Sequence, residues 1–224
     1  MFIRTVLALS LGAAVPAADA AAVQPDGSCA APEAAGCAGS RGDRPVRTWR
    51  QIATEDDRRR IREWRDAWVE ALAEARGSGH GADIDREGAL LDPDAALPAA
   101  RPPVGDYRCR TIKLGSQGEG GPDYTPYPAF RCRIEIGPLG EVRFTKLTGS
   151  QRPVGRLFDE HDRRVIFLGA MQLGDEQRAL RYGRDRERNM AGLVERIGEA
   201  RWRIVFPYPH FESTLDVLEL VPAS

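Results

Sequence analysis

Four cysteines, Cys29, Cys37, Cys109 and Cys132, are the first residues here that could do chemistry. No Cys-x-x-Cys occurs and no histidine lies near either pair, so the spacing suits disulfides rather than a metal or redox site. Four cysteines allow three connectivities. The preferred one is Cys109–Cys132 across a hairpin, with Cys29–Cys37 closing a small loop. Cys109 and Cys132 each stand between two arginines, on the apolar side of an alternating pattern. Tyr107, Cys109 and Thr111 share one face; Phe130, Cys132, Ile134 and Ile136 share another. If the cysteines lie opposite each other, Arg110 faces Arg131 and Arg108 faces Arg133. Like charges directly opposite destabilise a strand pair. Asp106, Glu135, Glu141, solvent or an anionic ligand must then compensate.

The remaining candidates for chemistry are sparser. His80, His161 and His210 are scattered among turns, and Ser150 and Ser213 sit in turns with no Gly-x-Ser-x-Gly elbow. His210 and Glu212, beside Tyr208 and Phe211, suit the mouth of a barrel, but acid–base work needs a second group within hydrogen-bond reach. Asp83, Asp85, Asp92 and Asp94 lack the glycine and late glutamate of a calcium loop and read as helix caps and Asp-Pro turns. No catalytic residue, metal or cofactor is expected.

What must position these residues is a chain of 224 residues, 42% hydrophobic, with a formal charge of -1. Thirty of its basic residues are Arg and only Lys113 and Lys146 are Lys, a bias that reads as genome composition. The balanced charge and the interleaved acids argue against nucleic acid as a partner. Residues 1–22 read as a secretory signal peptide. Arg4 is the charged start, 6–15 the apolar core, and alanines around 18–22 the cleavage region. That core is too short to span a membrane, and Cys29 stands too far beyond it for lipid anchoring. A periplasmic or secreted location follows, where disulfides persist. Residues 23–47, rich in Ala, Gly and Pro, read as a disordered leader, and 48–222 as a single domain.

Within that domain a long helix is expected over 54–76. Thr54 is its N-cap, Glu55, Asp56 and Asp57 suit the dipole, and Ile61, Trp64, Trp68, Leu72 and Ala75 form one apolar stripe. A connector, 77–104, leads to the β region, 105–222. After the opening hairpin, strands are expected at 141–147, 154–159, 164–171, 190–197, 201–207 and 214–221, separated by Gly, Pro and Asp turns. About eight short strands at regular spacing argue for a mainly β protein. The expected form is an up-and-down antiparallel barrel with the helix packed on it.

Four segments carry a resemblance: Gly105-Asp-Tyr-Arg-Cys-Arg-Thr-Ile-Lys-Leu-Gly115, Leu147-Thr-Gly-Ser-Gln-Arg-Pro153, Tyr182-Gly-Arg-Asp-Arg-Glu-Arg188 and Arg201-Trp-Arg-Ile-Val-Phe-Pro207. The chain resembles, from about Trp49 to Pro222, an uncharacterised secreted bacterial family known as domain of unknown function 4893. That resemblance implies no activity. Gly105-Asp106-Tyr107 also looks like the Gly-x-Trp that opens lipocalin and calycin barrels, with Tyr in place of Trp. The last strand lacks the Arg that usually packs on that Trp.

Parity places Tyr107, Thr111, Phe130, Ile134, Phe144, Phe167 and Trp202 inside the barrel. The expected ligand contacts are Tyr107, Phe130, Phe144 and Trp202, with Arg184 of the charged segment 174–188 at the rim. The leading reading is non-catalytic binding of a small apolar or anionic amphipathic molecule. Behind it stands an envelope protein-protein interaction module, using the helix or the charged segment. A hydrolase is third. The sequence is silent on oligomeric state.

Overall fold

The computed structural model describes residues 47–223. The signal-peptide and leader expectations and the Cys29–Cys37 pairing lie outside these residues. Four helices precede the sheet: α1 (Trp49–Ile52), α2 (Glu55–Arg62), α3 (Trp64–Gly77) and α4 (Gly81–Glu87). The strands are β1 (Gly105–Leu114), β2 (Tyr124–Pro126), β3 (Phe130–Ile136), β4 (Val142–Lys146), β5 (Gln151–His161), β6 (Arg164–Leu173), β7 (Asn189–Gly198), β8 (Arg201–Pro207) and β9 (Leu215–Pro222). From β3 onward each strand pairs antiparallel with the next, and β9 returns to β1 to close the barrel. β2 and β3 share one side of β1, at Leu114↔Tyr124 and Cys109↔Phe130 respectively. They form one interrupted stave, so the barrel has eight.

The expected single helix over 54–76 is instead two helices, broken at Glu63 (φ -85°, ψ 13°). α2 lies against β7, whereas α3 lies against β1 and β8. Two shorter rods follow a curved wall better than one straight one. The buried stripe accordingly runs through Ile61, Ala67, Trp68, Ala71 and Ala75, with Trp64 and Leu72 only half-buried. It covers the outward apolar residues of the barrel, including Ile112, Leu168, Leu193, Val205 and Val217.

Two polar anchors fix this cover. Arg203, fully buried on the outer face of β8, pairs with Glu195 at 2.8 Å and donates to the carbonyls of Leu90 (2.9 Å) and Asp92 (2.7 Å). A buried ion pair is sustained only when its remaining donors are also satisfied, and here the connector supplies the acceptors. At the start of α2, the buried Asp57 accepts from Arg60 and from the Tyr182 hydroxyl, while Thr54 N–H donates to that hydroxyl at 2.9 Å. This network ties the charged segment 174–188 to the helix cap.

The opening hairpin is paired two residues away from the expected register. Tyr107 faces Cys132, Asp106 faces Arg133 and Arg108 faces Arg131. Cys109 and Cys132 are therefore diagonal rather than opposite, with Cα atoms 5.9 Å apart, and they are bonded as a disulfide. Electrostatics favours the shift. Arg133 gains Asp106 at 2.6 Å, and Arg110 reaches Glu219 on β9 at 2.6 Å and Glu87 at 2.9 Å. Only Arg108 and Arg131 remain face to face, and protein carboxylates satisfy the other two arginines.

Candidate functional site

The barrel interior is divided by a floor of three rings. Phe144 and Phe167 meet edge to face at 6.0 Å between centroids, and Phe167 and Phe206 at 5.5 Å. Glycines in the neighbouring staves make room for them. A Cβ at Gly155 would stand 2.6 Å from Phe167 Cζ, and one at Gly192 would stand 2.8 Å from Phe206 Cδ1. Below the floor the barrel is packed. Tyr107 and Trp202 meet edge to face at 6.3 Å, beside the disulfide, Ile134, Val194 and Ile204. The Tyr107 hydroxyl donates to Pro103 O at 2.6 Å, tying the connector to this end of the barrel. Burial pushes that hydroxyl up to about 12.

Above the floor lies a cavity of about 230 Å³. Its apolar lining comes from Phe130, Pro153, Met171, Met190, Phe206 and Leu218; its polar lining from Thr111, Lys113, Tyr127, Lys146, Ser150, Gln151, Glu212 and Asp216. The β6–β7 segment 174–188 and the β8–β9 turn both reach this same end of the barrel. That turn is held open by backbone strain and side-chain bonds. Glu212 sits at φ 68°, where a non-glycine residue is uncommon, and Gln117 Nε2 donates to Pro209 O and Ser213 O.

Both lysines of the chain line this cavity, each less than a tenth exposed. Lys113 Nζ is 2.6 Å from Glu212 and 3.1 Å from Gln151 Oε1. Burial lowers its pKa, but Asp216 and Glu212 outweigh that and leave it above the ordinary lysine value. Lys146 is different. Its Nζ donates to Gln151 O at 2.9 Å, lies 3.9 Å from the centre of the Phe130 ring, and forms no ion pair among the described residues. Burial, offset in part by Asp216 and reinforced by Lys113 and Arg152, brings it down to about 8. Asp216, buried and accepting from Ser213 Oγ, is pushed up by burial against the pull of Lys113.

Of the expected contacts, Phe130 lines the cavity. Phe144 belongs to the floor, Tyr107 and Trp202 pack beneath it, and Arg184 is exposed in the segment 174–188. The basic groups lining the cavity are lysines rather than rim arginines. Thr111 is inward as its parity predicts, and the same parity carries Lys113, two residues on, and Lys146, two residues beyond the inward Phe144, into the cavity. His210 forms no hydrogen bond to a serine among the described residues; its Nε2 lies 3.7 Å from Asp56. Among the described residues no group of three or more His, Cys, Asp or Glu is placed to hold a metal ion.

Eight antiparallel staves in up-and-down order, closed on themselves around a cavity of about 230 Å³ at one end, define a small barrel of lipocalin-like fold. The chain belongs to the family described as domain of unknown function (DUF4893), whose model matches residues 49–220. Comparisons with curated proteins and with solved structures give no match.

Proposed function

We propose that the protein is an exported binding protein that holds one small amphipathic molecule in the open half of its barrel. One observation carries this reading: a cavity of about 230 Å³ lined by a buried lysine that forms no ion pair among the described residues. A charge taken from water without a partner is costly, and an anionic head group on Lys146 would offset that cost. The apolar body would lie on Phe130, Met171, Met190 and the Phe206 ring of the floor. The volume falls just below the range of drug-sized pockets, about 300–1,000 Å³, so the ligand is small. Export is supported by the Cys109–Cys132 disulfide, which suits an oxidising compartment.

The other two readings have less support. Trp68 is wholly buried against the barrel wall, so one of the two stripe tryptophans is not offered as a docking surface for an envelope partner. A hydrolase would need His210, Glu212 and a serine to converge; instead His210 Nε2 lies 3.7 Å from Asp56 and Glu212 is paired with Lys113.

Titration with heptanoate, heptanol and heptylamine, read by calorimetry, tests the binding reading. Heptanoate should bind at one site, and more tightly than the alcohol or the amine. Absence of saturable binding by all three, with no small molecule seen by native mass spectrometry on protein from its own host, would overturn it.

A further inference from the structure

The two lysine amines of this chain line one cavity, and among the described residues only one of them is ion-paired. Lys113 is ion-paired to Glu212 and hydrogen-bonded to Gln151. Lys146 faces the cavity with one backbone acceptor, an aromatic face and no carboxylate partner among the described residues. An ammonium has three N–H groups to satisfy, and these neighbours do not provide three acceptors. The site therefore favours loss of the ammonium proton more than water does. Elsewhere the chain carries its positive charge on arginine, whose guanidinium stays protonated and cannot act as an amine nucleophile.

We propose that Lys146 captures a carbonyl compound as a reversible imine, making the cavity a covalent binding site for a small aldehyde or ketone with an apolar body. The proposal rests on the ligand-binding reading of the same cavity and names a substrate class for it. A desolvated lysine next to a second cationic group is the usual way to keep an amine nucleophilic near neutral pH. With its pKa at about 8 rather than 10.5, Lys146 has a neutral share at pH 7 larger by about 300-fold.

The step balances without any further reagent. The Nζ lone pair attacks the carbonyl carbon, the C=O π pair takes a proton, and the nitrogen gives one up, forming a carbinolamine. A second proton converts the hydroxyl to water, which leaves as the nitrogen loses its last proton. The net change is amine plus carbonyl to imine plus water, and hydrolysis reverses it. Asp216 lines the same cavity, and burial holds its carboxyl towards the protonated form, so it is the group placed to lend and recover those protons. The floor rings Phe167 and Phe206 limit the depth to which the carbonyl compound's body can reach.

The test uses the intact protein, heptanal and cyanoborohydride at pH 7, with the alkylated amine located by peptide mass spectrometry. Lys113 and the chain's terminal amine are internal references, because no other primary amine exists. The expected result is one heptyl group on Lys146, added on the order of tenfold or more faster than on Lys113. Prior heptanoate should slow that labelling, and Lys146→Arg should abolish it. Equal labelling of the three amines, or labelling only at Lys113 or the terminus, overturns imine capture. The wild-type distribution decides this even if the variant folds poorly. Heptanoate binding without labelling of Lys146 would overturn imine capture and leave the binding reading standing. Loss of both overturns the two together.

Discussion

Lys146 holds its side-chain nitrogen 3.9 Å from the centre of the Phe130 ring and forms no ion pair among the described residues. A cation over an aromatic face gains roughly 0.5–2 kcal/mol, less than the several kcal/mol that burying an unpaired charge costs. The protein therefore carries a destabilising side chain at the cavity. Lys146→Met should raise stability at pH 7 by about 1–3 kcal/mol in urea unfolding, the range seen when a poorly compensated buried charge becomes apolar. A loss of stability would mean that the lysine is a structural strut.

The same residue sets a pH dependence whose sign is unusual. Its folded pKa, about 8, lies below the unfolded value of 10.5. Below pH 8 both states are protonated and the folded state carries the burial cost. Between pH 8 and 10.5 the unfolded chain holds the proton that the folded one has released. Stability then rises with pH, by about 1.4 kcal/mol per pH unit at most. The difference between wild type and Lys146→Met should shrink across this window and be flat below it. A difference that stays constant from pH 7 to 10 would place the folded pKa near the ordinary value.

The strand plan was largely legible because alternation and turn residues are local signals: 201–207 coincides with β8, and 214–221 differs from β9 by one residue at each end. Register was not, since parity fixes the face but not a slide of two residues. Asp106 opposite Arg133 was the clue to it. The break at Glu63 was hidden because apolar spacing continues through it; the curvature of the wall imposes it. Asp57 read as a dipole residue because its partner, Tyr182, is 125 residues away. Lys113 and Lys146 were visible as a compositional oddity, and their inward parity was the signal that made them a site.

The disulfide joins strands that β-pairing already aligns, so its contribution is mainly to the unfolded chain. It closes a loop spanning 23 residues in sequence, for which loop entropy gives about 3–4 kcal/mol. Replacing Cys109 and Cys132 together by Ala should lower the unfolding free energy by that amount. Reductant should do the same to wild type and leave the double variant unchanged.

Gly192 shows how the floor is built, since its missing side chain is the space that Phe206 occupies. A Cβ there would meet Phe206 Cδ1 at 2.8 Å and Val205 O at 2.9 Å. Gly192→Ala should cost about 1–3 kcal/mol, as overpacking does. In a Phe206→Leu background the added methyl should cost less, because the ring edge is gone. Additive effects in this double-mutant cycle would show that the backbone contact, rather than the ring, excludes a side chain.

Trp68 is the residue by which the helical cover is held, and its mode of attachment can be separated into packing and polar parts. The ring is fully buried, with the Arg203 guanidinium 5.0 Å from its centroid. Its indole N–H has no hydrogen-bond partner among the described residues, so nothing polar is lost with it. Trp68→Ala should cost about 3–5 kcal/mol, the usual range for deleting a large buried ring. Trp68→Phe should recover more than half of that, because a phenyl ring keeps most of the contact area and still faces the guanidinium. Hydrophobic dye should bind the Ala variant, as the outward faces of β1 and β8 lose their cover, and leave the Phe variant dark. If Phe proved as damaging as Ala, the indole nitrogen would have a partner and the attachment would be polar. If neither change moved the unfolding midpoint, the helices would be dispensable to the barrel.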